Sequence, residues 1–383
     1  MEHTVCIVGI GFVGESLVEI FSKKNNVIGI DISPKQVEIL QKKFKDSINI
    51  TIQSSYDCIE KCQLICIAVP TLLNNDNSVD DTHIKNAVKL IEEHVSAETT
   101  IVMESSVYVG MTRKLLRHLR QKNVYIGFSP ERIDPGRVNP PVDRTAKIIS
   151  GIDEESLEKV KYFYSRVFET IVPVSTIETA EMCKLVENCF RMVNIAYVNE
   201  VSNACEKLQI NPHELIEACS TKPFGYMPFY PGLGIGGHCI PINPRWLAVT
   251  SKDELPLLMH ATELMTMRPI MEANKLLEKY PYIKKALVIG MAFKPGEKLT
   301  TNSAGLAFAN ELFNNNIHVS VYDPLVDKNN ISKNFNILEP NDFTSDFIET
   351  NFDVVCVAIK QVNIDWTILD KCKNIIIKKY IKL

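Results

Sequence analysis

The sequence has no excess of charge of either sign: 42 Lys and Arg stand against 46 Asp and Glu, a net charge of −4 over 383 residues. The broad basic field that drives non-specific nucleic-acid binding is therefore missing. There is no apolar run of the ~20 residues a bilayer span requires, no low-complexity tract and no short-period repeat. No basic segment or cleavage site precedes Val5-Cys6-Ile7-Val8, so a cytoplasmic protein with no membrane partner is expected. Eleven cysteines, an odd number, argue for reduced thiols and against a disulfide framework. Cys58, Cys62 and Cys66 are evenly spaced, but Cys66 lies in the apolar run Leu64-Ile65-Cys66-Ile67-Ala68-Val69 and no His follows at ligand spacing. Structural thiols and no metal are expected. A chain 45% hydrophobic and 23% charged is neither disordered nor collagen-like, and its length suits two or three domains.

Short apolar runs alternate with helical patterns in the first half. Val5–Gly9, Val27–Ile30, Leu64–Val69, Thr100–Met103 and Val124–Phe128 read as strands, and Ile171–Val174 as the closing one. Pro34–Phe44 and Thr82–His94 repeat at helical period. This alternation predicts a doubly wound parallel sheet. One long helix is expected over Glu178–Gln209, with Met182, Leu185, Val186, Cys189, Phe190 and Val193 as an apolar stripe. Asn211-Pro212-His213-Glu214 reads as the start of a second helix. Beyond Lys284, strands at Ala286–Gly290, Ile317–Tyr322 and Val354–Ile359 and a helix near Ala304–Phe313 predict a second, smaller α/β unit. The fold class is thus α/β, two Rossmann-like doubly wound domains joined by a long central helix. The expected boundaries are 1–177, 178–280 and 281–383.

Gly9-Ile10-Gly11-Phe12-Val13-Gly14 is a G-x-G-x-x-G between a strand and a helix. Gly9 permits the tight turn, Gly11 lets a pyrophosphate approach the backbone, and Gly14 allows close helix–strand packing. The helix N-terminus offers N–H groups and partial positive charge to the phosphates. Asp31 ends the next strand, 17 residues after Gly14. A carboxylate there accepts from ribose hydroxyls and repels a 2′-phosphate, which points to NAD as cofactor rather than NADP.

Between Gly225 and Gly237 lie five glycines, with Pro228, Pro231 and Pro241 around His238-Cys239. Such a segment is a loop whose backbone comes close to something. A cysteine there suggests covalent catalysis: a thiolate adds to an aldehyde, hydride leaves, and the thioester is hydrolysed. Backbone N–H groups of the glycines could face an oxyanion; the alternative is a buried thiol in a structural loop. Lys184, Asn188 and Arg191 share a helix face roughly opposite the apolar stripe. Their spacing suits either a polar ligand or a solvated surface.

Together these segments resemble the UDP-glucose/GDP-mannose dehydrogenase family of NAD-dependent, four-electron nucleotide-sugar oxidoreductases. The resemblance rests on the glycine fingerprint, Val69-Pro70-Thr71, Glu104-Ser105-Ser106-Val107, Phe128-Ser129-Pro130-Glu131-Arg132, Lys184-Leu185-Val186-Glu187-Asn188 and Gly236-Gly237-His238-Cys239. The Ser-Pro-Glu-Arg and Gly-Gly-His-Cys forms look like the branch acting on UDP-N-acetylhexosamines. The resemblance implies oxidation of the sugar's 6-hydroxyl to a uronic acid for polysaccharide biosynthesis. Cys239 is the implied nucleophile, Lys184 the catalytic lysine, Asn188 a water- and sugar-holding residue and Glu131 the general base. Arg132, Ile133, Lys184, Asn188, Arg191, Tyr230, Gly232, Phe293 and Lys294 are the implied substrate contacts. Gly9, Gly11, Phe12, Val13, Gly14, Asp31, Thr71 and Ser106 are those to NAD. A homodimer through the central helix is implied as well.

The chain departs from the family in places. Asn243 stands where an Asp is usual, Ser106 where a Thr is, and Gln36 where a basic residue is common. Thr301 takes the place of an arginine, and Thr262-Glu263-Leu264-Met265 replaces an Arg-Glu-Ile-Asn pattern. Slower turnover and weaker ligand affinity are the expected costs. The alternatives are a UDP-glucose 6-dehydrogenase, a drifted member that binds nucleotide sugar with little turnover, and a two-electron alcohol dehydrogenase, which the cysteine loop argues against.

Overall fold

A computed structural model describes residues 3–74, 78–132, 141–251 and 254–382. The chain forms two compact units, residues 1–187 with 245–252, and residues 188–244 with 253–383. The first contains β1 (Thr4–Val8), α1 (Phe12–Ser22), β2 (Asn26–Ile30), α2 (Pro34–Lys43), β3 (Ile50–Gln53), β4 (Leu64–Ile67) and a small hairpin, β5 (Leu72–Leu73) with β6 (Val79–Asp80). After these come α3 (Thr82–His94), β7 (Thr100–Met103), α4 (Met111–Leu116), β8 (Tyr125–Phe128), β9 (Lys147–Gly151), α5 (Glu154–Tyr164) and β10 (Ile171–Pro173). The sheet runs β10-β9-β8-β7-β4-β1-β2-β3. The residues of β4 and the last four of β1 are buried. Runs such as VCIV and LICI suit strands covered on both faces, because neither face needs a polar alternate. Leu17, Val18 and Phe21 of α1 pack on this sheet with Val160, Phe163 and Tyr164 of α5.

The doubly wound sheet is as expected, with one antiparallel pairing that the sequence did not announce: β9 runs antiparallel to β8, with Phe128 opposite Ser150. The run Lys147-Ile148-Ile149-Ser150-Gly151 gave no strand signal. Its polar residues are nevertheless buried, and Ser150 satisfies its hydroxyl on the Phe128 carbonyl at 2.8 Å.

The long helix α6 spans Ile177–Leu208, one residue earlier at each end than expected. Its apolar stripe divides. Leu185 and Cys189 are buried, whereas Met182, Val186, Phe190 and Tyr197 form an exposed ridge. Lys184 and Asn188 do not lie opposite the buried side chains; they are on the buried face with them. Arg191 is exposed.

The second unit holds α7 (Pro212–Ser220), α9 (Pro256–Lys279), α10 (Ala304–Asn314), α11 (Ser345–Asn351) and α12 (Thr367–Lys371), while α8 (Asn243–Ser251) begins in this unit and ends in the first. Asn211 caps α7 by accepting from His213 N–H, with Pro212 at the first helical position as the sequence indicates. A five-stranded parallel sheet runs β13 (Asn336–Ile337), β12 (His318–Tyr322), β11 (Lys285–Ile289), β14 (Val354–Val357), β15 (Ile376–Lys379). Among the described residues, no helix is long and apolar enough to cross a membrane, and no group of His, Cys, Asp or Glu is arranged to hold a metal ion. All eleven cysteines are unbridged. The Cys62 thiol donates to the Cys58 carbonyl at 3.3 Å, whereas Cys66 faces the Tyr164 hydroxyl at 3.6 Å.

Candidate active site

In the first unit the glycine fingerprint forms the turn its spacing predicts. Gly9 has φ +84°, and a Cβ there would meet the backbone of Ala68 and Val69 at 2.8 Å. A Cβ on Gly14 would stand 1.9 Å from the Gly9 carbonyl oxygen, so α1 packs against the turn only because that atom is missing. Gly11 caps α1 without any side-chain hydrogen bond and has open space where a Cβ would be. The first-turn N–H groups of α1 therefore have no capping side chain, the condition for binding a phosphate there.

Asp31 accepts the Ile10 N–H at 3.0 Å on one carboxylate oxygen and the Ser33 N–H at 2.9 Å on the other. Each oxygen keeps a lone pair for a ribose hydroxyl. Gln36, at the position usually basic, turns its amide onto the Ile10 carbonyl at 2.8 Å and so braces the turn. Phe12 is exposed and Val13 half-buried beside it. Thr71 and Ser106 follow the carboxyl ends of the neighbouring strands β4 and β7, where open α/β sheets bind ligands. Ser105 ties these two strand ends together through the carbonyls of Ile67 and Val69. An open Gly11, an uncapped helix and a carboxylate with spare lone pairs fit a dinucleotide.

Glu131 lies just beyond the end of β8. Lys184 of α6 donates to both its carbonyl (2.8 Å) and its carboxylate (2.7 Å), and both side chains are nearly buried. Arg132 donates to the Ala146 carbonyl at 2.9 Å and pairs with Glu187. Ile133 lies outside the described residues. Sequence reasoning overlooked what supports this segment. Lys147 is paired with Glu104 at 2.5 Å, and Tyr164 donates to the other Glu104 oxygen at 2.5 Å. Burial pushes the Glu104 carboxyl above its usual range, against the pull of Lys147. The available signal was a charged residue directly after the apolar strand Thr100–Met103.

In the second unit Cys239 is exposed. Its carbonyl accepts the Asn243 N–H at 3.0 Å. The Asn243 side-chain oxygen in turn accepts from the Asn188 amide at 2.5 Å, with both side chains buried. Asparagine in place of the usual aspartate thus keeps an acceptor facing Asn188 and gives up the charge. The expectation that loop glycines offer N–H groups to an oxyanion is corrected at two of them. Gly237 N–H donates to Thr301 O and Gly232 N–H to Asn199 Oδ1. Gly236 and Gly237 are glycines because Phe293 packs on them; a Cβ on either would lie 2.8 Å from that side chain. Asn302 also donates to the Gly237 carbonyl. Lys294 follows Phe293 and is half-buried. Tyr230 is exposed and stacks on His213. Thr262 and Met265 are buried, and Arg268 reaches the Gly232 carbonyl at 2.9 Å, so an arginine does hold this loop, from a position six residues after Thr262.

Residues 3–171 match the NAD binding domain, 178–266 the central domain and 287–381 the UDP binding domain of the UDP-glucose/GDP-mannose dehydrogenase family. The chain belongs to this family. It is an NAD-dependent UDP-sugar dehydrogenase. It is 30% identical to Protein CapL of Staphylococcus aureus, with 94% of this chain and 90% of that one aligned. Identity to the UDP-N-acetyl-D-mannosamine dehydrogenase of Methanococcus vannielii is 29%, over 84% of this chain and 79% of that one. The solved structure of the Pyrococcus horikoshii UDP-D-ManNAc dehydrogenase superposes with a TM-score of 0.87 at 25% identity, covering 99% of this chain and 95% of that one.

Proposed function

We propose that the substrate is a UDP-N-acetylhexosamine, oxidised at its 6-hydroxymethyl group to the carboxylate. The balance is one primary alcohol, two NAD and one water giving one carboxylate, two NADH and three protons. NAD supplies the hydride acceptor in both oxidations. In between, the Cys239 thiolate adds to the aldehyde carbon and forms a C–S bond. Loss of the second hydride leaves a thioester, and water then breaks that bond and returns the thiol. The Lys184 ammonium favours the oxygen that gains negative charge at each addition. Glu131, held by Lys184, takes the proton from the attacking water, and Asn188 holds the sugar or that water. Arg132, Ile133, Arg191, Tyr230, Gly232, Phe293 and Lys294 are the proposed substrate contacts, and the fingerprint with Asp31, Thr71 and Ser106 those to NAD.

What supports this reading most is the loading of α6. It carries Lys184, paired to Glu131, and four residues on Asn188, bonded to Asn243 in the turn that starts at Cys239. We read residues 1–177 as the NAD domain, 178–280 as the central helical domain and 281–383 as the UDP-sugar domain. The exposed ridge of Met182, Val186, Phe190 and Tyr197 suits a homodimer through α6, and we place the enzyme in the cytoplasm.

The test is a panel of UDP-N-acetylmannosamine, -glucosamine, -galactosamine and UDP-glucose with NAD, read by NADH yield and product mass. Two NADH per uronic acid are expected from an N-acetylated sugar, and Cys239→Ser should abolish acid formation. Turnover of UDP-glucose alone would overturn the substrate class, and an active Cys239→Ser protein would overturn the thioester.

A further inference from the structure

Glu104 and Lys147 form an ion pair with side chains only 0% and 6% exposed. Withdrawing two charges from water is costly, and an apolar pair of similar volume is often as stable or more so. The pair is therefore poorly explained by stability. Its third contact is informative: the Lys147 ammonium also donates to the Pro130 carbonyl at 3.0 Å. Pro130 immediately precedes Glu131, whose own carbonyl and carboxylate are taken by Lys184. Two consecutive carbonyls beyond the end of β8 are thus each held by a buried ammonium.

The sheet explains how Lys147 gets there. Because β9 runs antiparallel to β8, its first residue projects past the last residue of β8. On the far side, Glu104 extends from the end of β7, which pairs with β8 in parallel. Tyr164 of α5 fixes Glu104 from its other oxygen, and the ammonium lies 5.9 and 5.6 Å from the Tyr164 and Phe168 ring centres. Glu104, Lys147, Glu131 and Arg132 line one narrow cavity. Ser129, between strand and proline, is itself fixed through the Ile148 carbonyl at 2.7 Å.

We propose that Glu104 and Lys147 are positioning residues for the reaction, setting the place of the Glu131 carboxylate through the Pro130 carbonyl. Glu104 aims the Lys147 ammonium, and Lys147 fixes the backbone from which Glu131 projects. This rests on the reading of Glu131 as the general base.

The test is the paired substitution Glu104→Gln with Lys147→Met, which removes both charges and leaves no buried ion unpaired. Its kcat should fall about tenfold or more, the scale expected when a catalytic group is displaced. KM for NAD and UDP-sugar should stay near wild type. Placed in a Glu131→Gln background, the same pair should add nothing to the loss already caused by that substitution. Wild-type kcat in the paired variant, or a further multiplicative loss in the Glu131→Gln background, overturns the proposal. Full activity of Glu131→Gln alone overturns instead the reading of Glu131 as the base. Should the pair fail to fold, Glu104→Leu with Lys147→Met carries the same expectations and the same refutations.

Discussion

The two doubly wound sheets begin with the same backbone device and put it to different ends. In the first unit Gly9 turns at φ +84°, its N–H bonded to Ile30 O, and Asp31 accepts from Ile10 N–H. In the second, Gly290 turns at φ +92°, its N–H bonded to Tyr322 O, and Asp323 accepts from Met291 N–H. A Cβ on Gly305 would meet the Gly290 carbonyl at 2.3 Å, as one on Gly14 would meet that of Gly9. What differs is what each leaves for a ligand. α1 starts three residues after Gly9 and is capped by nothing but glycine. α10 starts only at Ala304, and Ser303 caps it by accepting from Leu306 N–H. Asp323 is saturated, taking the N–H groups of Met291, Ala292 and Leu325 and the Gln361 amide. One turn is left open, with an uncapped helix and spare carboxylate lone pairs; the other is closed on itself, and its long connection holds the cysteine loop through Phe293, Thr301 and Asn302.

Substituting the two aspartates is the strongest way to break this comparison. Asp323→Ala strands three backbone N–H groups at about 1–3 kcal/mol each. It should lower the melting temperature severely and leave NAD affinity of the folded fraction unchanged. Asp31→Ala strands two such groups and should cost less stability, but NAD affinity should fall about tenfold, the loss expected with a ribose contact worth ~1.4 kcal/mol. Calorimetric titration with NAD beside a thermal melt separates them. An equal loss of NAD affinity in both would mean that the two carboxylates do not divide their tasks as described.

The glycines come next. Gly14→Ala and Gly305→Ala should each destabilise by about 1–3 kcal/mol, since a methyl group must displace a helix from a carbonyl. Gly14→Ala should also raise Kd for NAD, and Gly305→Ala should not. If Gly305→Ala weakened NAD binding as much as Gly14→Ala does, the division between an open and a closed turn would fail.

This duplication is hidden in the sequence. Gly9 and its helix are adjacent, so the motif is legible, whereas thirteen residues separate Gly290 from α10 and dilute the same signal. Strands covered on both faces, such as Leu64–Ile67, were readable from their unbroken apolar runs. β9 was not, because Lys147 and Ser150 are buried only by virtue of distant partners, Glu104 and the Phe128 carbonyl. β15 reads Ile-Ile-Lys-Lys and is half-exposed at a sheet edge, with no alternation to betray it. For the site, sequence could supply Lys184, Asn188 and Cys239 as residue types in motifs. It could not show that Lys184 and Asn188 are buried on α6, since helical spacing alone is the same for a solvated face.

The smallest expected changes in stability are at the caps. Ser303→Ala removes the acceptor for Leu306 N–H and should cost about 1 kcal/mol of stability, with NAD binding untouched. Gly11→Ser is its mirror image. The backbone at Gly11 is extended, φ −68° and ψ −160°, and nothing lies within 4 Å of a Cβ there, so serine fits the ligand-free turn. Its hydroxyl can accept the α1 N–H groups that glycine leaves uncapped, and the melting temperature without NAD should hold or rise slightly. The same hydroxyl then occupies the place a pyrophosphate would take, so NAD affinity should drop about tenfold or more. A Gly11→Ser protein that binds NAD as tightly as wild type would mean that the uncapped helix N-terminus is not where the phosphates rest, and the contrast between the two turns would lose its functional meaning.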